Sequence, residues 1–132
     1  MQIVDPIDIE DALRSDMAEL LPDIAFHATP APNDIEADSV AFMAVGGGAA
    51  SPVSHEYDLG IDAWAETPGK AMALALRVQG LISSLPVRTF SSGRDYKTAT
   101  ANLPYNNPDP NRPLIPRCSF SATVGLRGKG NI

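Results

Sequence analysis

The chain has 132 residues, of which 44% are hydrophobic, and its 16 acidic and 10 basic side chains give a net charge of -6. This length and hydrophobic content predict a single domain over residues 1–132 with a core of its own. The negative charge argues against a protein that grips nucleic acid, because such binding depends on Lys and Arg at the phosphates. The single cysteine excludes an intrachain disulfide, and no apolar stretch approaches the roughly 20 residues that span a bilayer. We therefore expect a soluble protein with no membrane partner.

The first predicted element is a helix over residues 6–21. Asp5 is a capping residue, and Pro6 follows it at the first helical position, where no backbone N–H is needed. Apolar residues recur at helical spacing through this segment: Ile9, Ala12, Leu13, Met17, Leu20 and Leu21. The acidic residues of its first turns suit the positive end of the helix dipole, and this interpretation is favoured over a cation site.

Two strands are predicted next, a short one over residues 24–28 and an apolar, covered one over residues 39–45. The glycine-rich residues 46–52 fit neither phosphate-binding glycine motif. They instead predict a flexible hairpin connection to a further strand.

That further strand runs directly into a helix, and together they are the clearest pattern in the chain. Apolar residues occupy the odd positions of residues 57–65, which is typical of a half-buried strand. Thr67 followed by Pro68 predicts a helix start. The helix then carries one apolar stripe and ends before Pro86: Ala71, Leu74, Val78, Leu81, Ile82 and Leu85.

The C-terminal third contains two extended parts separated by a proline-rich segment. Residues 87–90 and 95–100 are predicted to be extended, whereas residues 101–116 contain five prolines that exclude regular structure. A last strand follows, with one apolar face: Cys118, Phe120, Ala122, Val124 and Leu126.

These elements predict an α+β fold with a four- or five-stranded, mostly antiparallel sheet. Two amphipathic helices pack on one face of this sheet, and the order of elements is α-β-β-β-α-β-β. The other face is polar and is left to water or to a neighbouring subunit.

No group of residues in the sequence has the spacing of a catalytic or metal site. His27 and His55 each lack a second ligand nearby, and Cys118 alternates in phase with core residues. Asp58 and Asp62 share one face of a strand but lie about 13 Å apart by the strand rise, farther than paired catalytic carboxylates. We therefore predict no catalytic, cofactor-binding or metal-binding residue and no enzyme activity.

Six residues are candidates for contacts with a subunit or another partner. Asp58 and Asp62 lie on the polar face, where Trp64 is the one large apolar side chain. A solvated Trp would expose a large apolar area, so we predict that the proline-rich segment or a neighbouring subunit covers it. The proline-rich segment itself offers three anchors, and its prolines reduce the entropy lost on docking: Tyr105, Leu114 and Ile115.

Two blocks of the sequence resemble the tail terminator proteins of long-tailed bacteriophages, also called tail completion or minor tail proteins. The first block is YDLGIDAWAETPGKAMALALRVQGLISSLP, residues 57–86, and the second is PRCSFSATVGLRG, residues 116–128. The family has a strand of the type Y-x-L-x-I-x-A-W that runs into a helix, and a late strand of the type S-F-x-A-T-V-x-L-R-G. A first helix and a β-hairpin precede them, as predicted here.

The resemblance implies a structural virion protein that forms a ring, usually a hexamer, on the head-proximal end of the tail tube. Such a ring stops polymerisation of the major tail tube protein and offers a surface to the head-completion or stopper protein. DNA passes through the ring without specific binding, and the acidic balance of the chain suits such a channel. Assembly takes place in the host cytoplasm.

Two alternatives remain open from the sequence. One is a head–tail connector or stopper protein in the neck of the same particle. The other is a small ligand-binding α/β domain, or an unrecognised enzyme whose site is assembled from distant residues.

Overall fold

The computed structural model describes residues 3–28, 31, 35 and 38–131. Its strands and helices come in this order: β1 (Ile3–Asp5), α1 (Ile9–Leu20), β2 (Ala25–Ala28), β3 (Ser39–Ser51), β4 (Ser54–Trp64), α2 (Pro68–Ser83), a 3-10 helix (Leu85–Val87), β5 (Tyr96–Ala101), β6 (Tyr105–Asn106), β7 (Arg117–Arg127) and β8 (Lys129–Asn131). Strands β2 to β7 form one sheet in the order β2-β3-β4-β7-β5, and β6 also pairs with β7. β1 and β8 pair antiparallel as a separate ribbon.

Strands β4 and β7 form the centre of the sheet. They pair antiparallel along their whole length, from Ser54 opposite Arg127 to Trp64 opposite Arg117. Both helices pack on the same face of the sheet and share one core, with α1 against β2 and β3 and α2 against β4, β7 and β5. Strands β4 and β7 contribute nine buried residues to that core: Tyr57, Leu59, Ile61, Ala63, Cys118, Phe120, Ala122, Val124 and Leu126.

The α+β class, the order α-β-β-β-α-β-β and the packing of two helices on one face are confirmed. The sheet, however, has six strands rather than four or five, and it is mixed because β2 pairs parallel with β3. The short strand β6 lies inside the proline-rich segment that was predicted to be irregular. Pro104 and Pro108 flank its two paired residues, so neither proline removes a hydrogen bond from the pairing with β7.

Helix α1 begins at Ile9, later than predicted, because tertiary contacts hold the residues before it. Asp5 belongs to β1 and pairs with β8, and the amide of Ile7 donates to the Tyr57 hydroxyl at 2.9 Å. The cap is therefore Asp8, whose carboxylate accepts from a backbone amide of the first turn at 3.3 Å.

Helix α2 begins where the sequence predicts it. The Thr67 hydroxyl accepts from the amide of Lys70 at 3.1 Å, and Pro68 occupies the first helical position. The helix ends at Ser83, just before the 3-10 helix that contains Pro86.

The predicted glycine-rich loop between β3 and β4 is instead part of β3. The strand continues to Ser51, and residues 52–53 form the turn. Gly46 and Gly47 have φ angles of +153° and +136°, which side-chain-bearing residues rarely adopt. A Cβ atom on Gly47 would lie 2.1 Å from the carbonyl oxygen of Glu56. These glycines adopt the unusual backbone conformations of an irregular strand that stays paired with β4. The glycine-rich composition therefore suggested a loop where the structure has a distorted strand.

We expect Gly47→Ala to lower the free energy of unfolding by roughly 1–3 kcal/mol, the usual cost of a strained backbone conformation. Gly48→Ala is the matched control, because a Cβ at Gly48 would meet no atom within 4 Å and its φ is not in the positive region. Denaturant unfolding of both variants measures the difference. Equal stability of the two variants would contradict the role given to Gly47.

Candidate assembly surface

The face of the sheet opposite the helices is polar and open along much of its length. The Thr123 hydroxyl donates to the exposed carboxylate of Asp58 at 2.8 Å, and the Asn102 amide donates to the Ser121 hydroxyl at 2.6 Å. These residues line a shallow depression of about 240 Å³. Its lining offers hydroxyl, amide and carboxylate groups for hydrogen bonds, which suits a polar surface contact.

The proline-rich segment covers one end of this open face, where Trp64 lies. Trp64 is only 2% exposed and packs in a small cluster that is separate from the main core: Ala31, Ile35, Ala41 and Ile115 surround it. We predicted that either the proline-rich segment or a neighbouring subunit covers Trp64, and the structure confirms that the proline-rich segment does so. The Trp64 side chain therefore packs under the proline-rich segment and is not itself available for contact with a partner.

Asp109 fastens the proline-rich segment to Trp64. The indole Nε1 donates to Asp109 Oδ2 at 3.3 Å, and Arg112 donates to the same oxygen at 2.9 Å. The guanidinium of Arg112 also lies over the indole, with its central carbon 5.6 Å from the ring centroid. The Asn111 amide donates to the second carboxylate oxygen at 2.9 Å. Both oxygens of this buried carboxylate are therefore occupied.

Arg117 extends this network to β7. Its Nε donates to the backbone oxygen of Asn107 at 2.7 Å, and its guanidinium lies 3.8 Å from carboxylate oxygens of both Asp62 and Asp109. The Ser119 hydroxyl donates to the other oxygen of Asp62. Asp62 is therefore a paired carboxylate that helps to hold the segment, rather than a free charge on the open face.

The environment of Asp109 keeps its carboxyl group ionised. Burial by itself would raise the pKa of Asp109. Hydrogen bonds from Arg112, the Asn111 amide and Trp64, together with the charge of Arg117, outweigh burial and hold the pKa below its usual value. The ionised form thus contributes to the stability of the fold.

The remaining candidate residues lie on or beside the segment. Ile115 is half-buried in the Trp64 cluster, whereas Tyr105 and Leu114 are 58% and 93% exposed. Asp58 lies farther along the open face and is exposed. The structure thus divides the predicted set into residues that hold the segment in place and residues that it presents to solvent.

The sequence interpretation missed three charged residues of the network: Asp109, Arg112 and Arg117. The spacing of Asp109 and Arg112 was a usable signal, because a turn joins them through a hydrogen bond from the Arg112 amide to the Asp109 carbonyl at 3.1 Å. Their shared contact with Trp64, however, depends on how an irregular segment folds back over the sheet, which no periodic pattern encodes.

The outer part of β3 is a second exposed surface that the sequence interpretation missed. Residues 43–50 are all exposed, although they belong to a strand. Met43 and Val45 are 47% and 62% exposed. This part of β3 projects past β2, which pairs only as far as Phe42.

The two histidines and the cysteine lie on three different strands: His27 on β2, His55 on β4 and Cys118 on β7. Burial lowers the pKa of His27, and the charge of Arg14 lowers it further, which favours the neutral imidazole. Burial raises the pKa of the Cys118 thiol, which makes the thiolate less available. His55 lies in β4, next to the ring of Tyr57.

A second buried carboxylate, Asp16, holds α1 against the segment before β5. It accepts hydrogen bonds from the Tyr96 hydroxyl at 2.7 Å, the Ser92 hydroxyl at 2.8 Å and Arg94 at 3.0 Å. Burial and the neighbouring Asp16 raise the pKa of Tyr96, so its hydroxyl remains a donor. The partners of Asp16 indicate a structural role for this cluster.

No protein-family model matches this chain, and no curated protein matches it. In the described part of the chain, no helix is both long and apolar enough to cross a membrane. Among the same residues, no three His, Cys, Asp or Glu side chains are grouped so that they could hold a metal ion. The identification of the candidate surface therefore rests on the structure of this chain alone.

We expect Asp109→Asn to destabilise the protein by roughly 3 kcal/mol at neutral pH, because it removes the buried carboxylate that pairs with the half-buried guanidinium groups of Arg112 and Arg117. The lowered pKa means that Asp109 contributes stability above its unfolded-state pKa, and that this contribution is lost as pH falls through the folded-state pKa. The variant should therefore lose less stability on acidification than the wild type.

Chemical unfolding at pH 7 and at about pH 3 measures this difference. The lower pH is close to the ordinary pKa of an aspartate. Asp23→Asn, at an exposed position after α1, controls for the loss of one negative charge. An equal pH dependence in the wild type and in Asp109→Asn would show that the network does not stabilise the fold through this carboxylate.

Proposed function

We propose that this chain is the tail terminator of a long-tailed bacteriophage, a structural virion protein that forms a ring on the head-proximal end of the tail tube. The resemblance of residues 57–86 and 116–128 to that family is its first support. The observation that carries the proposal is that both blocks lie in one structural unit. β4 and β7 pair throughout, and α2 packs on their inner face.

The placement of polar and apolar side chains also favours assembly over catalysis. Buried charged groups of the described residues, such as Asp16 and Asp109, are held by partners within the chain. Several exposed apolar side chains instead lie on the outer part of β3 and on the proline-rich segment, Val45 and Leu114 among them. Contact surfaces are typically marked by apolar side chains that form a contiguous exposed patch.

In this role the ring, usually a hexamer, stops polymerisation of the major tail tube protein. Its other side receives the head-completion or stopper protein. DNA passes through the channel without specific binding. The carboxylates of Glu56 and Asp58, exposed on the open face of the sheet, would repel phosphates wherever that face lines the channel.

Deletion of the gene from the phage tests this role. Loss of a terminator should give tails of uncontrolled length, and supplying the wild-type protein in trans should restore a uniform length. Electron microscopy of the particles measures the tail lengths. Tails of normal length that fail to join heads would instead assign the chain to the connector or stopper class.

Native mass spectrometry of the purified protein tests the ring. We expect a closed oligomer of the 14.0 kDa chain, alone or on addition of the tail tube protein. A monomer at all concentrations, with no affinity for the tube, would contradict the proposed function.

A further inference from the structure

Among the described residues, no strand pairs with the outer edge of β3 beyond Phe42. β2 pairs with β3 only up to Phe42, and the carboxylate of Glu10 then accepts from the Ala44 amide at 2.9 Å. Beyond this point, no group outside β4 in the described part of the chain hydrogen-bonds to the backbone of residues 45–50. Within the described residues, the strand therefore presents unpaired backbone donors and acceptors along this edge.

This edge also lacks the features that normally protect an exposed strand. Soluble proteins block such edges with charged side chains, prolines or a covering element. No charged residue occurs from Ser39 to Ser54, and Pro52 lies in the turn rather than on the edge. The exposed side chains of Met43 and Val45 add apolar area beside the free backbone. An edge of this composition favours pairing with another strand.

The opposite side of the sheet offers a different open edge. β5 is the last strand there, and no group outside β7 among the described residues hydrogen-bonds to the backbone of residues 97–100. Val87, in the 3-10 helix that contacts β5, and Leu103, which follows the strand, are 86% and 74% exposed. This edge too combines free backbone groups with exposed apolar side chains.

The geometry points to pairing of residues 45–50 of one copy with β5 of the next copy, which extends the sheet from subunit to subunit. A second copy is the occupant that satisfies both edges at once, because one chain carries both. β5 has six residues, the same length as the open stretch of β3. The uncharged β3 edge also brings no like charge to Lys97 on β5.

The two edges differ, so this contact is head-to-tail and repeats from copy to copy. Such a contact forms a ring when the rotation between neighbouring copies closes, as the proposed function requires, and an open filament when it does not. A contact between two β3 edges would instead stop at a dimer and leave both β5 edges open. This inference rests on the proposed function, because it names the contact that would build the proposed ring.

Val45→Lys tests the pairing by placing a charge on the β3 edge. We expect this variant to remain folded by circular dichroism and to lose the oligomer in native mass spectrometry. Ala18→Lys adds the same charge at an exposed position of α1 and should leave the oligomer unchanged. A ring that persists in Val45→Lys would overturn the pairing.

Cysteine cross-linking identifies the paired strands directly, and it decides the question if Val45→Lys does not fold. Native Cys118 is 2% exposed and does not compete. Ala49→Cys would be combined in one chain with a cysteine at each position of residues 97–100 in turn. Oxidation should give a ladder of multimers at the matching register, where Cβ atoms approach within about 4 Å, while Ala49→Cys alone stays monomeric on a denaturing gel.

Other results separate this inference from the proposed function. Dimers of Ala49→Cys alone would show β3–β3 pairing and overturn the head-to-tail contact. A native ring that forms no cross-link at any register would also overturn it, while leaving the terminator role intact. A ladder from a chain whose deletion leaves tail length and head joining unchanged would support the pairing and overturn the proposed function.

Discussion

The antiparallel pairing of β4 with β7 is the constraint on which the rest of the structure depends. Side chains alternate between the faces of a sheet, so a shift of one residue would turn the core positions of either strand toward solvent. The observed register keeps the apolar residues of both strands toward the helices, except Trp64, which lies on the opposite face. The same register places Trp64 opposite Arg117 and Asp62 opposite Ser119. The core and the polar network thus follow from one pairing, on opposite faces of the same strands.

The proline-rich segment is ordered by that network rather than by regular structure. Asp109 lies where the charges of Arg112 and Arg117 and the indole N–H of Trp64 converge. A buried carboxylate is stable only with such partners, so the segment has few other positions in which this charge is satisfied. Its prolines restrict the alternatives further. An irregular segment thereby becomes a defined surface that displays Leu114 to solvent.

In the described residues, the outer part of β3 and the outer edge of β5 have no pairing strand, and these two edges differ in composition. The outer part of β3 is uncharged and rich in glycine and alanine, whereas β5 is bordered by exposed Val87 and Leu103. Gly46 and Gly47 are what allow the β3 edge to continue as a strand. Unpaired strand edges with exposed apolar side chains favour aggregation of a monomer, but they would be covered by neighbouring copies in the proposed ring.

Local patterns in the sequence determined α2, β4, β7 and the α+β class. The Thr67–Pro68 cap and the alternation of both strands act within a few residues and need no distant partner. Tertiary structure decided the rest. Asp8 replaced Asp5 as the first cap because β8 holds β1 extended, and the glycine-rich residues became strand because β4 pairs with them. The cover of Trp64 was expected, but its partner Asp109 is 45 residues away. Contacts across such distances depend on how the chain folds back on itself, and no periodic pattern records them.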